Sequence, residues 1–158
     1  MRIGYGEDVH KTCPGNKVIL GGIEIPAPFS LEGVSDADVV LHAVTDAILG
    51  ALALGDIGDF FPPNAEENKN RNSKDFLSFA VEQIKMHKMK IANLDVTILC
   101  ERPKISPYKN TIRENIARIC QISKDQVSIK ATTTEKLGFI GKEEGLAAKA
   151  IVLLLNSI

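Results

Sequence analysis

Residues 35 to 55, SDADVVLHAVTDAILGALALG, are where this chain changes its period. Upstream, RIGYGEDVH (2 to 10) and KVILGGIEIP (17 to 26) read as strands, the second broken at Gly21-Gly22 as a hairpin would be. Within 35 to 55, Val40, Val44, Ala47, Ile48 and Ala51 recur at steps of three and four residues. That spacing predicts a helix over about 36 to 54, opened by a capping box of Ser35 and Asp38 and ended by Gly55. Phe76, Phe79, Ala80 and Ile84 mark a second helix over about 73 to 88, and Ile112, Ile116 and Ile119 a third within 106 to 123. ANLDVTILC (92 to 100) and QVSIKATTT (126 to 134) read as strands. LAAKAIVLLLN (146 to 156) fits either period, and its β-branched pair after GKEEG favours a strand. DIGDFFPPNAEENKNRNS (56 to 73), with paired prolines and many asparagines, is expected to be an exposed, mobile loop. Hairpins beside helical crossovers predict an α/β (α+β) fold, a mixed sheet packed against helices, and 158 residues fit one domain spanning 1 to 158.

A formal net charge of -1 gives no field that gathers nucleic acid or an anionic membrane, so the expected partners are small molecules or further copies of the chain. The longest apolar run, AIVLLL, falls far short of a bilayer span, and MRIGYGEDVH has no apolar signal core; a cytoplasmic location is expected. Cys13, Cys100 and Cys120 form no CxxC pair and read as free thiols serving as small buried hydrophobes.

In a strand, Asp8 and His10 share a face. Asp38, His42 and Asp46, four residues apart on a helix, would share another. If His42 joined Asp8 and His10, two imidazoles and a carboxylate would suit zinc with an open fourth position; taken alone, His42 reads equally as a hydrogen-bonded helix histidine. His87, in KMHKMK, reads as a solvated helix end. KATTTEKLGFIGKEEG (130 to 145) offers hydroxyls, an acidic Glu135 and glycines at 138, 141 and 145, but it is not a Walker A loop because Glu143 follows Gly141-Lys142. With GDIG (55 to 58) and ERPKISP (101 to 107), it points to loops that could surround a phosphorylated ligand.

GYGEDVH, SDADVVLHAVTDAILGALALGDIGDFFP and KATTTEKLGF, in this order and spacing, resemble the signature segments of the 2-C-methyl-D-erythritol 2,4-cyclodiphosphate synthase family, and the resemblance runs the length of the chain. It implies a phosphorus-oxygen lyase of non-mevalonate isoprenoid biosynthesis. Such an enzyme converts 4-diphosphocytidyl-2-C-methyl-D-erythritol 2-phosphate to the cyclic diphosphate with release of CMP. It implies that Asp8, His10 and His42 hold Zn²⁺, that Glu135 helps hold Mg²⁺ or Mn²⁺ on the substrate diphosphate, and that Thr133 acts with Glu135 in catalysis. Thr132, Thr133 and Thr134 would approach the phosphates, and Val34, Ser35, Asp56, Ile57, Gly58 and Phe61 the methylerythritol side. Cys100, Lys104, Ile105 and Ser106 would line a cytidine pocket, and Phe139 and Lys142 a central cavity of a homotrimer whose active sites lie between subunits.

The sequence departs from the family at Val34, where His-Ser-Asp is usual and this chain has Val34-Ser35-Asp36. Valine neither donates a hydrogen bond nor carries charge. If the lost donor acts as an oxyanion-hole donor does, the rate falls by about 10²–10³. Pro63 stands where an acidic residue is common, and Lys142 keeps the charge of the usual arginine without its fork. Two other readings compete with the synthase: a non-catalytic trimer that binds cytidine or isoprenoid diphosphates, and a phosphohydrolase using water. The segment from 62 to 72 is expected to close over substrate as a lid.

Overall fold

Gly4 and Gly6 determine how closely the first long helix approaches the first strand. A Cβ at Gly4 would lie 1.8 Å from the Ala47 carbonyl oxygen, and one at Gly6 2.0 Å from that of Ala43. Only hydrogen fits there, so the helix backbone rests directly on the strand. The computed structural model describes residues 1–158. Its elements, in chain order, are β1 (Arg2–Cys13), β2 (Lys17–Leu20), β3 (Ile23–Pro26), β4 (Ser30–Leu31), α1 (Val39–Ala51), α2 (Ile57–Phe60), α3 (Lys74–Met86), β5 (Met89–Leu99), α4 (Lys109–Cys120), β6 (Val127–Thr132), α5 (Gly138–Gly141) and β7 (Gly145–Asn156).

Five strands form one mixed sheet in the order β4-β1-β7-β5-β6. β7 runs antiparallel to both β1 and β5, whereas β5 and β6 are parallel and are joined by the α4 crossover. The last segment is therefore a strand, as its composition favours. β2 and β3 form a separate hairpin, turned at Gly21 and Gly22 with φ of +61° and +79°. Two successive left-handed residues are what a tight two-residue hairpin requires. The chain is thus a small mixed α/β domain with its core between the helices and one sheet face. Leu146, Ala148, Ala150, Val152 and Leu154 of β7 are buried on that face beneath α1.

The opposite face is covered only at one end, where Phe139 of α5 packs near Gly145. Ile3, Tyr5 and Val9 of β1 stand in register with Leu153, Ile151 and Ala147 of β7. Ile3, Tyr5, Val9 and Ile151 are 69%, 52%, 44% and 51% exposed, apolar residues on a face that the exposed Glu7 and Lys149 pair interrupts.

Several boundaries differ from the sequence expectation. α1 begins at Val39, not 36, because Asp38 is its N-cap: the carboxylate accepts from the Val40 and Leu41 amides. The same carboxylate, fully buried, also accepts from Gly21 N (2.9 Å) and Gly22 N (2.7 Å), tying the hairpin to the helix. Burial pushes its pKa up to about 6 against the opposing pull of those amides. Asp38 therefore does not share the outward face of His42 and Asp46, and no Ser35 capping box forms. The helix also stops before Gly55: Ala53 takes φ +58°, and the Ala53 and Leu54 amides return to Gly50 and Leu49. This is a Schellman closure with alanine in the left-handed position.

The 56 to 73 segment is not uniformly exposed. It contains α2 and a 3-10 turn over Glu66–Asn68, and Asn68 and Ser73 are buried. Arg71 lies 4.9 Å over the Phe61 ring, Phe61 packs on Phe76 and Phe79, and the Asn68 amide donates to the Pro62 carbonyl. Cys100 and Cys120 are buried as expected, but Cys13 is only half-buried.

Candidate metal centre and its neighbouring clefts

Because β1 and α1 meet through bare glycines, the side chains just beyond the contact come together. Gly4, Gly6, Asp8 and His10 share the face of β1 that meets α1, and His42 lies one residue before Ala43, the helix residue against Gly6. Asp8 Oδ2 lies 3.0 Å from His10 Nε2 and 3.0 Å from His42 Nδ1, and the two nitrogens are 3.4 Å apart. A tetrahedral ion with bonds of about 2.0–2.1 Å spaces its ligands ~3.3–3.4 Å apart, so the three atoms already approximate one face of that tetrahedron.

Hydrogen bonds on the far side of each ring fit this use. His10 Nδ1 lies 2.7 Å from the Glu32 carbonyl oxygen, which can only accept, so the ring must donate there. Nε2 is then the nitrogen turned to Asp8, donating to that carboxylate while no cation is bound and free to offer its lone pair to one that displaces the proton. His42 Nε2 lies 2.7 Å from Ser73 Oγ and 3.2 Å from Ser35 Oγ. Phe76 packs 5.5 Å from the His42 ring. Burial works to raise the pKa of Asp8, but hydrogen bonds and charge from the two histidines prevail and hold it below the ordinary carboxylate value. Burial likewise works to lower His10, and the Asp8 carboxylate outweighs it, so His10 is raised. An anionic carboxylate and two imidazole nitrogens converging on one point form a donor set suited to a divalent cation, which would displace the protons the nitrogens share with Asp8.

The triad opens into a cleft of about 510 Å³, lined also by Val34, Ser35, Ile57, Phe61, Pro63, Asn68 and Phe76. Ile57 is held by its amide, which donates to Asp46 Oδ1 at 2.9 Å. Burial raises the pKa of Asp46, and the Asp56 and Asp8 carboxylates push the same way against that hydrogen bond. Asp56 caps α2 with Gly58 in its first turn, just outside the lining.

A second cleft, of about 670 Å³, gathers Cys100, Lys104, Ile105 and Ser106 with Thr132 and Thr133. It lies at the same end of the sheet: His10 pairs with Leu146, Ala147 with Leu99, and Leu99 with Thr132. Three strand spacings separate His10 from Thr132, ~14 Å, so one chain does not close the two clefts into one. Thr134 and Glu135 lie just past β6, outside both linings; Glu135 is exposed with φ +54° and faces no metal ligand. Phe139 borders a third hollow, of about 740 Å³, with Val9, Thr12 and Glu143, and Lys142 stands exposed beside it.

Residues 1–155 match the YgbB family. The chain belongs to this family. Among YgbB relatives, the 2-C-methyl-D-erythritol 2,4-cyclodiphosphate synthase of Moorella thermoacetica is 49% identical over 156 residues, covering 99% of this chain and 96% of that one. The synthase of the same name from Chlorobaculum tepidum is 47% identical, with 99% and 100% covered. Among solved structures, IspF of Plasmodium falciparum in complex with CDP superimposes with a TM-score of 0.88 at 35% identity, covering 99% of this chain and 97% of that one. The bifunctional IspDF of Campylobacter jejuni superimposes with a TM-score of 0.93 at 38% identity, over 97% of this chain and 42% of the other.

The sequence pattern places Asp46 on the His42 face, but it does not reveal Ser73, Asp36 or Glu101 as parts of these sites. Ser73 opens the second helix, an ordinary N-cap signal, and nothing in its spacing ties it to His42. Glu101 reads in sequence only as part of the loop ERPKISP, yet its carboxylate accepts from Thr134 N (2.9 Å) and Lys136 N (3.2 Å) and so fixes the exit of β6.

Proposed function

We propose that this chain is a 2-C-methyl-D-erythritol 2,4-cyclodiphosphate synthase, a phosphorus-oxygen lyase acting in non-mevalonate isoprenoid precursor biosynthesis in the cytoplasm. The observation that carries the reading is the preassembled Asp8, His10, His42 triad in a chain whose full-length relatives bear that name. An oxygen of the 2-phosphate attacks the β-phosphorus of the diphosphate; the bond from that phosphorus to the bridging oxygen breaks, and CMP leaves with the electron pair. No water and no protein nucleophile are consumed. Folding the substrate back on itself replaces an encounter by proximity, worth up to ~7–11 kcal/mol of the barrier.

In this reading Asp8, His10 and His42 hold Zn²⁺, and Glu135 helps hold Mg²⁺ or Mn²⁺ on the diphosphate. Bound ions would supply Lewis-acid stabilisation of phosphate charge. Thr132, Thr133 and Thr134 offer hydroxyl and amide donors to phosphate oxygens. Ile57 and Phe61 shape the apolar wall for the methylerythritol carbons, with Asp56 and Gly58 beside them. Lys104, Ile105, Ser106 and Cys100 receive cytidine.

Two features support a homotrimer with sites between subunits. Exposed Ile3, Tyr5, Val9 and Ile151 on one sheet face suit a subunit contact, and the two clefts of one chain have separate linings that a neighbouring subunit could join. Lys142 and Phe139 would then line the hollow near the axis. The 62 to 72 segment, pinned at Asn68 and Arg71, would close through its exposed tip around Asn64.

Val34, 46% exposed in the cleft beside both histidines, favours one alternative: a trimer that binds but does not turn over. Phosphorus NMR of the protein with substrate, Zn²⁺ and Mg²⁺ tests both. CMP with a cyclic diphosphate establishes the synthase, and a linear product would establish a hydrolase. Unchanged substrate that is bound, and still unchanged with Val34→His, would establish the binding protein.

A further inference from the structure

The His42 ring has one nitrogen toward Asp8 and the other toward two serines, and which of them carries the proton decides whether the ring can ligate at all. Ser73 Oγ is the nearer hydroxyl, at 2.7 Å from Nε2, and is completely buried. A hydroxyl has one proton to give. Here the proton goes to Asp36: Ser73 Oγ donates to Asp36 Oδ1 in a short hydrogen bond, while the Ser73 amide donates to Asp36 Oδ2 at 2.9 Å. Toward His42 the oxygen can then only accept, so Nε2 bears a proton and Nδ1, beside Asp8, is the nitrogen left to ligate a cation. Asp36 is itself fixed, because its amide donates to the Arg71 carbonyl at 3.2 Å and its Oδ1 accepts from the Asp38 amide at 3.2 Å.

We propose that Ser73 and Asp36 are positioning residues that lock His42 in the Nε2–H tautomer and thereby set the affinity of the triad for its cation. The inference rests on the metal-centre reading above. The chain of groups runs from the α3 N-terminus to the ligand, so the helix carrying Phe76 and the ligand nitrogen are set by one contact. If Asp36 did not take the hydroxyl proton, Ser73 could donate to Nε2 and favour the Nδ1–H form, which cannot ligate. Ser35 is a poorer substitute, farther at 3.2 Å, and accepts a long contact from the Ala37 amide at 3.4 Å.

The test begins with the wild-type protein stripped of metal and labelled with ¹⁵N-histidine. Long-range ¹H–¹⁵N correlation spectra should show a proton on His42 Nε2; a ring whose only proton is on Nδ1, or an even mixture of the two neutral tautomers, overturns the proposal. Zn²⁺ affinity is then measured by competition with a chromogenic chelator for wild type, Ser73→Ala and Asp36→Asn. Loss of a partner behind a metal-ligating histidine typically costs 10–100-fold in affinity, and about that loss is expected for Ser73→Ala, together with a mixed tautomer in its spectrum. Asp36→Asn, whose amide oxygen can still accept the hydroxyl proton, should lose less. Unchanged affinity in Ser73→Ala, or lowered affinity with the Nε2–H tautomer intact, overturns the assignment. Wild-type protein that binds no Zn²⁺ overturns both this inference and the metal centre, whereas wild-type binding matched by Ser73→Ala overturns this inference alone.

Discussion

The β1–α1 wedge and the loop after β6 carry comparable numbers of candidate site residues, but they are built in opposite ways. In the wedge, bare glycines set the backbone distance, and every polar group around the triad has a partner: Glu32 behind His10, Ser73 behind His42, Asp36 behind Ser73. Beyond β6, Thr132, Thr133 and Glu135 are exposed, the backbone turns through left-handed Glu135, Lys136 and Gly138, and Glu101 holds the loop from one side. A site whose geometry is enforced by packing is complete within one chain. A site made of exposed donors on a turn takes its final form only against a ligand or a neighbouring subunit.

The sharpest contrast should come from putting the same methyl group into both regions. Gly6→Ala pushes a Cβ to 2.0 Å from the Ala43 oxygen, so α1 must move away from β1. We expect a loss of at least about 3 kcal/mol of stability in urea unfolding, and Zn²⁺ binding weakened by more than about 100-fold as the triad separates. At Gly138 an added Cβ meets nothing within 4 Å, and only the left-handed φ of +66° is at issue. Gly138→Ala should cost about 1 kcal/mol and leave Zn²⁺ affinity unchanged. Equal effects at the two positions would erase the distinction.

Next in size is removal of a ligand. His42→Ala should reduce bound Zn²⁺ from one ion per chain to none by elemental analysis. Cytidine binding at the Lys104 cleft, ~14 Å of sheet away, should stay within about threefold of wild type. Loss of both would mean that the two clefts are coupled, within a chain or across the subunit seam.

How much of this was legible in sequence follows the same division. The long helix, the Gly-Gly hairpin and the first strand come from periodicity and turn chemistry, and the last strand from its β-branched pair, all of which are local. The residues alone put Asp8 and His10 on one face, but left His42 between ligand and bystander. That choice depends on the distance between β1 and α1, a tertiary quantity recorded only indirectly by the two glycines. Asp38 was misread for a related reason: a carboxylate at helix spacing looks like part of a face, and only the fold reveals that hairpin amides from Gly21 and Gly22 claim it. Ser73 could not be read at all, since its partner is 31 residues away.

A smaller effect is expected at Glu101. Glu101→Gln keeps one acceptor oxygen and the shape, but gives up one of the two amide contacts that hold Thr134 and Lys136. The expected cost is about 1 kcal/mol, with faster hydrogen exchange at those two amides and no change in Zn²⁺ affinity. Changed metal binding in this variant would mean that the exit of β6 is part of the wedge.

The smallest effect distinguishes the regions without any mutation. Cys100 lines the second cleft yet is 4% exposed, and burial pushes its thiol up to about 11; in Cys120 burial pushes it to about 12. Cys13, at the end of β1, is half-buried. At pH 8 the thiolate, which is the reactive form, is then a fraction of about 10⁻³ or less at Cys100 and Cys120. Iodoacetamide should therefore label Cys13 first and leave the other two silent in the native protein, as peptide mass mapping would show. The same shifts set a sign for stability. Above about pH 8.5 the unfolded chain releases thiol protons that the native state retains, so stability should decline as pH rises toward the raised values of about 11 and 12. Rapid labelling of Cys100 at pH 8 would show that the second cleft opens more deeply in solution, making the two regions differ in motion as well as in construction.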